Sequence, residues 1–146
     1  MTQDMAGIIV GGILPAVFFG LSGVFAKPST QAGIGTGLYL LFVGLAAALA
    51  GLVFYILLPD KTISFRSGLF ALLVGLAWAI AAGLVAFSLT TYRVPISKLV
   101  PLYNINTLVA VLIGLYVFAE WKDVNAWKLL LGSLFVIVGG TLAATS

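Results

Sequence analysis

The chain has 146 residues, 62% of them hydrophobic and only 8% charged, with a formal net charge of +3. A soluble domain carries roughly 25% charged residues, so a chain of mean hydropathy +1.24 lacks the polar surface to face water. With no cysteine there are no disulfides or thiolate metal sites, with no histidine the commonest general base is missing, and the seven scattered basic residues form no patch for nucleic acid.

Charges divide the sequence into uncharged runs at residues 5–26, 28–59, 67–92, 99–119 and 129–146. A membrane-spanning helix needs about 20 apolar residues, so each run predicts one helix. The N-terminus, Met1-Thr-Gln-Asp-Met5, lacks the basic start of a cleaved signal peptide, and the first helix is expected to be retained, over residues 6–26. Pro28-Ser-Thr-Gln-Ala-Gly33 reads as a loop, followed by a second helix over 34–58. The third is expected over 67–89. The fourth, over 95–119, opens on Pro95, which a first helical turn tolerates. The fifth, over 125–144, takes Asn125 as its N-cap. Trp121 and Trp127 flank its start, where amphipathic rings favour a lipid–water interface. The expected architecture is all-α: a single domain, 1–146, forming a bundle of five transmembrane helices, multi-pass in the cell (inner or plasma) membrane with lipid around it.

Small residues recur at helical spacing. They are Gly12, Ala16 and Gly20; Gly37, Gly44, Ala48 and Gly51; Gly75, Ala79 and Gly83; and Gly132, Val136 and Gly140. Lipid tails give helices no hydrophobic reason to associate, so close backbone contact through small residues does that work. Such stripes serve either packing within one bundle or pairing with a second copy.

Five spans put the termini on opposite sides. Lys61, Arg66, Lys122 and Lys128 then share a side with the N-terminus, and Lys27, Arg93 and Lys98 share the other. The acids Asp4, Asp60, Glu120 and Asp123 all fall on the first side, but acids weigh little in the positive-inside rule. Two arrangements stay open: insertion both ways, with pairing of inverted copies, or one orientation set by a single extra cation.

Polar groups at membrane depth are costly and default to functional roles. The fourth helix is richest in them. Ser97, Pro101 and Asn104 fall at i, i+4 and i+7 and share a face, with Tyr103, Asn106 and Thr107 close by. Pro101 has no N–H for the Ser97 carbonyl, and Pro15 none for that of Gly11. These residues either line a polar cavity or hydrogen-bond neighbouring helices. Trp78, midway along the third helix, offers a π-face to a cationic or aromatic substrate, or simply packs. Lys98 captures a substrate carboxylate or snorkels to headgroups. Lys27 and Arg93 are expected to anchor helix ends. The uncharged runs hold no carboxylate, which argues against a midplane proton relay. No nucleophile–base pair, metal-ligand cluster or phosphate loop is present, so neither an enzyme nor a cofactor is expected.

The stretch Val94-Pro-Ile-Ser-Lys-Leu-Val-Pro-Leu-Tyr103 leads into an apolar helix ending in Phe118-Ala-Glu120, then Trp127 and the glycines from Gly132 to Gly140. This order resembles the EamA-like domain of the drug/metabolite transporter superfamily. Pro95, Ser97, Pro101, Glu120, Gly132 and Gly139 stand where that pattern has them. The first helix, Pro15-Ala-Val-Phe-Phe-Gly20 through Gly23 to Lys27, resembles the family's opening, with Phe19 where tryptophan is usual. Most members carry two five-helix repeats of opposite orientation. The resemblance therefore implies a single repeat that works as a homodimer, inverted or parallel, or as a heterodimer with a sister repeat. It implies alternating-access transport of a small polar organic molecule, with Glu120 in an anchoring role beside Lys122. The alternative is a non-transporting membrane subunit, or half of a lipid-carrier flippase.

Overall fold

The computed structural model describes residues 3–122 and 124–145. Asp123, one of the acids weighed above, lies outside them, as do Met1, Thr2, Ser146 and the side chains of Gln3 and Asp4. The regular structure of the described residues is entirely helical. Among them, five helices are long and apolar enough to cross a membrane: α1 (Met5–Gln31), α2 (Thr36–Leu57), α3 (Phe65–Tyr92), α4 (Ile96–Val117) and α5 (Ala126–Ala144). The chain divides into two compact units, Met1–Arg93 with α1 to α3 and Val94–Ser146 with α4 and α5.

In the first unit, α1 contains a π-helical turn at Ile9–Ile13, where the Leu14 N–H reaches back five residues to the Ile9 carbonyl. Pro15 follows directly. In a regular α-helix its ring would collide with the Gly11 carbonyl, and a widened turn relieves that crowding. The helix then runs past its expected end at Ala26 as far as Gln31, with Pro28 inside it. The Thr30 hydroxyl donates to the Ala26 and Lys27 carbonyls, at 2.9 Å each, which satisfies it within the helix. The stop is Gly33, at φ +89°. Its N–H bonds the Thr30 carbonyl at 3.2 Å, and a left-handed residue at that place is a common helix ending. Pro28 is therefore not the start of the loop, and Lys27 lies within the helix rather than at its end.

Gly23, Ala26 and Thr30 are the buried residues of α1 and lie on one face. The start of α3 is fixed by a capping box. Ser64 accepts the Ser67 N–H at 3.1 Å, and the Ser67 hydroxyl oxygen accepts the Ser64 N–H at 2.9 Å. The helix thus begins at Phe65, two residues before its expected start, and closes on a π-helical turn at Ser88–Tyr92. It meets α2 at Gly83, where a Cβ would lie 2.9 Å from Leu40 Cδ1. Leu40 fills the notch that glycine leaves.

In the second unit, α4 starts after Pro95, whose carbonyl accepts the Lys98 and Leu99 N–H groups at 3.0 and 3.3 Å. The helix is made of two pieces, Ile96–Tyr103 and Asn106–Val117. Between them the hydrogen bonds tighten to three-residue spacing: Ile105 to Leu102 at 3.1 Å, then Thr107 to Asn104 and Leu108 to Ile105 at 3.0 Å each. α4 ends at Val117, short of its expected end, and Ala119 takes a left-handed φ of 55°. Asn125 caps α5 as expected, accepting the Lys128 N–H at 3.0 Å. The first piece of α4 packs on α5 at Gly140, where a Cβ would lie only 2.6 Å from the Pro101 carbonyl oxygen.

Within each unit, most of the small-residue stripes are not packed positions. α5 buries Ser133 and Gly140, whereas Gly132 has open space and Val136 is exposed. Gly12, Gly20, Gly37, Gly44, Gly51 and Gly75 also meet nothing within 4 Å of a Cβ position. The reason is that a stripe on a helix identifies a face able to pack closely, while the neighbour that arrives decides which face does.

Much apolar surface stays uncovered. No residue in the most apolar 18-residue window of α2 is buried, at a mean hydropathy of 2.6. Eleven of its large hydrophobic side chains are exposed, from Leu38 to Leu57. At about 1.5–3 kcal/mol for each, leaving them in water costs roughly 16–33 kcal/mol. A whole domain is stable by about 5–15 kcal/mol. α2 alone therefore needs a covering other than water.

Candidate functional site

Six of the seven residues expected at a substrate site lie on α4, in the second unit: Ser97, Lys98, Pro101, Tyr103, Asn104 and Asn106. Trp78 lies on α3, in the first unit, near the middle of that helix and 44% exposed. The 22 residues of α4 give it a length of about 33 Å. Asn104 and Asn106 lie roughly 12 and 15 Å from Ile96 along the axis, just short of the midpoint.

The local fold of this midpoint follows from Pro101. The ring removes one N–H from the helical ladder, leaving the Ser97 carbonyl without its usual partner. Three residues later the helix tightens at Asn104 and Ile105. A stretch of three-residue hydrogen bonds within a longer helix marks strain or a hinge. The Pro101 carbonyl itself is turned to Gly140 of α5, and Pro101 is half-buried there. Of the i, i+4, i+7 face, Pro101 is thus committed to the α4–α5 contact, while Ser97 and Asn104 are exposed.

Several hydroxyl residues of the other helices are satisfied at home. Ser22 donates to the Phe19 carbonyl at 2.7 Å, Thr90 to Ala86 at 3.0 Å, Ser133 to Leu129 at 2.9 Å and Thr141 to Ile137 at 2.9 Å. Such back-bonding within one's own helix is open to Ser and Thr. The side chains of Asn104 and Asn106 have no hydrogen-bond partner among the described residues, and both are exposed. Two amides, each able to donate two hydrogen bonds and accept two, are therefore presented outward at the middle of an apolar helix. Tyr103, beside them, is 39% exposed, and Lys98 is half-buried one turn into the helix.

Glu120 opens a short 3₁₀ turn, Glu120–Lys122, after α4. Its carboxylate folds back on Gly114, where a Cβ would stand 2.7 Å from Oε2. Sequence reasoning had placed this group beside Lys122 and gave no hint of Gly114. The signal was the glycine one and a half turns before the acid, which leaves room for the returning side chain.

Comparison with protein-family models, with curated proteins and with solved structures finds no match for this chain.

Proposed function

We propose that this chain is a multi-pass membrane protein which pairs with a second five-helix copy or sister repeat and moves a small polar organic molecule across the bilayer by alternating access. The observation that carries this reading is the pair of unpartnered amides, Asn104 and Asn106, at the tightened midpoint of α4. In hydrocarbon an amide without a hydrogen bond costs about 2–7 kcal/mol. Two of them facing lipid would consume the stability of a small domain. A water-filled or substrate-filled cavity removes that cost, and irregular helices near the midplane are tolerated where they line such cavities.

Pairing is supported by the open stripe Gly37, Gly44 and Gly51 on α2. In a bilayer a face of small residues lets a second helix approach closely. Pairing also suits the depth of the site. Inverting a copy exchanges the two membrane faces but keeps the midplane, so Asn106 of both copies would stand at one depth. The absence of carboxylates from the uncharged runs suits facilitated movement of a polar, even zwitterionic, molecule better than exchange against protons.

The test is uptake by vesicles containing the purified chain, using labelled amino acids, polyamines and sugars as probes. Asn104→Leu and Asn106→Leu should each abolish uptake of the transported probe without loss of expression. Wild-type rates in both variants would overturn the site. A wild-type chain that moves none of the probes and purifies with a different membrane chain would favour a non-transporting subunit.

A further inference from the structure

Asn104 and Asn106 stand two residues apart on α4. At 3.6 residues per turn that separates them by about 200°, and by about 240° where the turn tightens to three residues. The two amides therefore leave the helix on nearly opposite sides, and their surroundings differ. Asn104 shares its side with Ser97 and Thr107, at i−7 and i+3, and all three are exposed. Asn106 shares its side with Leu102, Val109 and Ile113, at i−4, i+3 and i+7, which are 40, 55 and 47% exposed. One side is a polar strip, and the other is an apolar face with a single amide in it. That apolar face is not the one that packs on α5. The packed face is marked by Pro101 against Gly140 and by the half-buried Ile105 and Leu108, one and two turns further on.

A lone asparagine in an apolar packing face is the pattern that fixes partner and register when two helices pair. An amide both donates and accepts hydrogen bonds, so it is complementary to a second copy of itself. Its depth suits such a meeting. Across a twofold axis residue i meets j and j meets i, and a residue meets its own copy only near the axis. For an axis in the membrane plane that place is mid-depth, and Asn106 lies within roughly 2 Å of the middle of α4.

We propose that the Asn106 face of α4 is a contact with a second copy of this chain. The two Asn106 amides hydrogen-bond to each other across it, and Asn104 is left for the transported molecule. The inference rests on the pairing proposed above and deepens it by naming the contact. Inversion leaves mid-depth unchanged, so the amides meet in parallel and inverted pairs alike.

The chain has no cysteine, so single introduced thiols report alone. Oxidation in native membranes should link Asn106→Cys into a homodimer faster than Phe135→Cys, which samples random collisions because Phe135 is 76% exposed near the middle of α5. In mixed micelles Asn106→Leu should weaken pairing about threefold to thirtyfold, the worth of an interhelical hydrogen bond in a membrane. Asn106→Gln, which keeps the amide, and Asn104→Leu should both pair as wild type does. Equal linking of Asn106→Cys and Phe135→Cys overturns the proposal, as does wild-type pairing in Asn106→Leu or a disulfide from Asn106→Cys to a different chain carrying its own cysteine. The two levels separate cleanly. Uptake by wild type while Asn106→Cys stays monomeric on oxidation fails this inference alone. A chain that links through Asn106→Cys but in wild-type form moves no probe fails the transport reading and keeps this contact.

Discussion

Gly132 and Gly140 lie on one helix and face different surroundings. A Cβ on Gly132 would meet nothing within 4 Å, while one on Gly140 would stand 2.6 Å from the Pro101 carbonyl oxygen and 3.3 Å from its carbon. Alanine gains about 0.5–1 kcal/mol over glycine inside a helix, but forcing atoms into a filled contact costs about 1–3 kcal/mol. At Gly140 the obstacle is backbone and cannot rotate aside, so the cost wins. Gly140→Ala should lower stability by about 1–2 kcal/mol, and Gly132→Ala should raise it by up to about 1 kcal/mol, in unfolding from mixed micelles. Equal effects would mean that α4 and α5 do not pack at Gly140. Gly83 lies between these cases, because its obstacle is the tip of the flexible Leu40 side chain. The glycines were legible in the sequence as small residues at helical spacing. Which of them a neighbour touches was not, since spacing along one helix carries no information about the helix opposite.

Helix boundaries follow caps more closely than charges. Asn125 was legible as a cap from its place before an apolar run, and the structure gives it the Lys128 N–H at 3.0 Å. Ser64 and Ser67 form a capping box of the same clarity, but Arg66 between them suggested a later start for α3. Lys27 misled in the same manner at the end of α1, where Gly33 is the stop. A long cation can sit within a helix and still reach polar surroundings, so a charge limits the apolar stretch and not the helix. Asn125→Ala should cost about 0.5–2 kcal/mol and Asn125→Gly only a few tenths. Thermal unfolding in detergent checks this, and an Asn125→Ala variant as stable as wild type would show that the cap does not fix the start of α5. Pro15 and Pro101 were legible as ladder breakers. The π-helical turn before the one and the tight turn after the other were not, because a missing hydrogen bond can be absorbed by widening, tightening or bending.

For the molecule as a whole, the deciding facts are the uncovered apolar surface and the even distribution of charge. Four basic residues fall on one side of the expected topology and three on the other. The positive-inside rule acts through an excess, and one residue gives little. C-terminal reporters active on opposite sides of the membrane should therefore both give signal. Adding two lysines after the C-terminus should silence the reporter active on the outer side. Signal from only one reporter in the unaltered chain would rule out the inverted homodimer and leave a parallel pair or a sister repeat.

Composition alone determined that this chain cannot bury itself. With 8% charged residues there is not enough polar surface to cover five apolar helices, whatever their order. The sequence also determined the number of helices and their approximate places, because apolar length and caps are local properties. It marked α4 as the polar helix for the same reason. Only the tertiary structure decided that Pro101 is spent on Gly140, that Glu120 returns to Gly114, and that Ser133, not Gly132, is buried. Those outcomes depend on which surfaces meet. The structure also showed which hydroxyls are satisfied within their own helix, among them Thr30, Thr90, Ser133 and Thr141. A hydroxyl reaches its own helix's carbonyls, and the amides of Asn104 and Asn106 are left for a partner from outside.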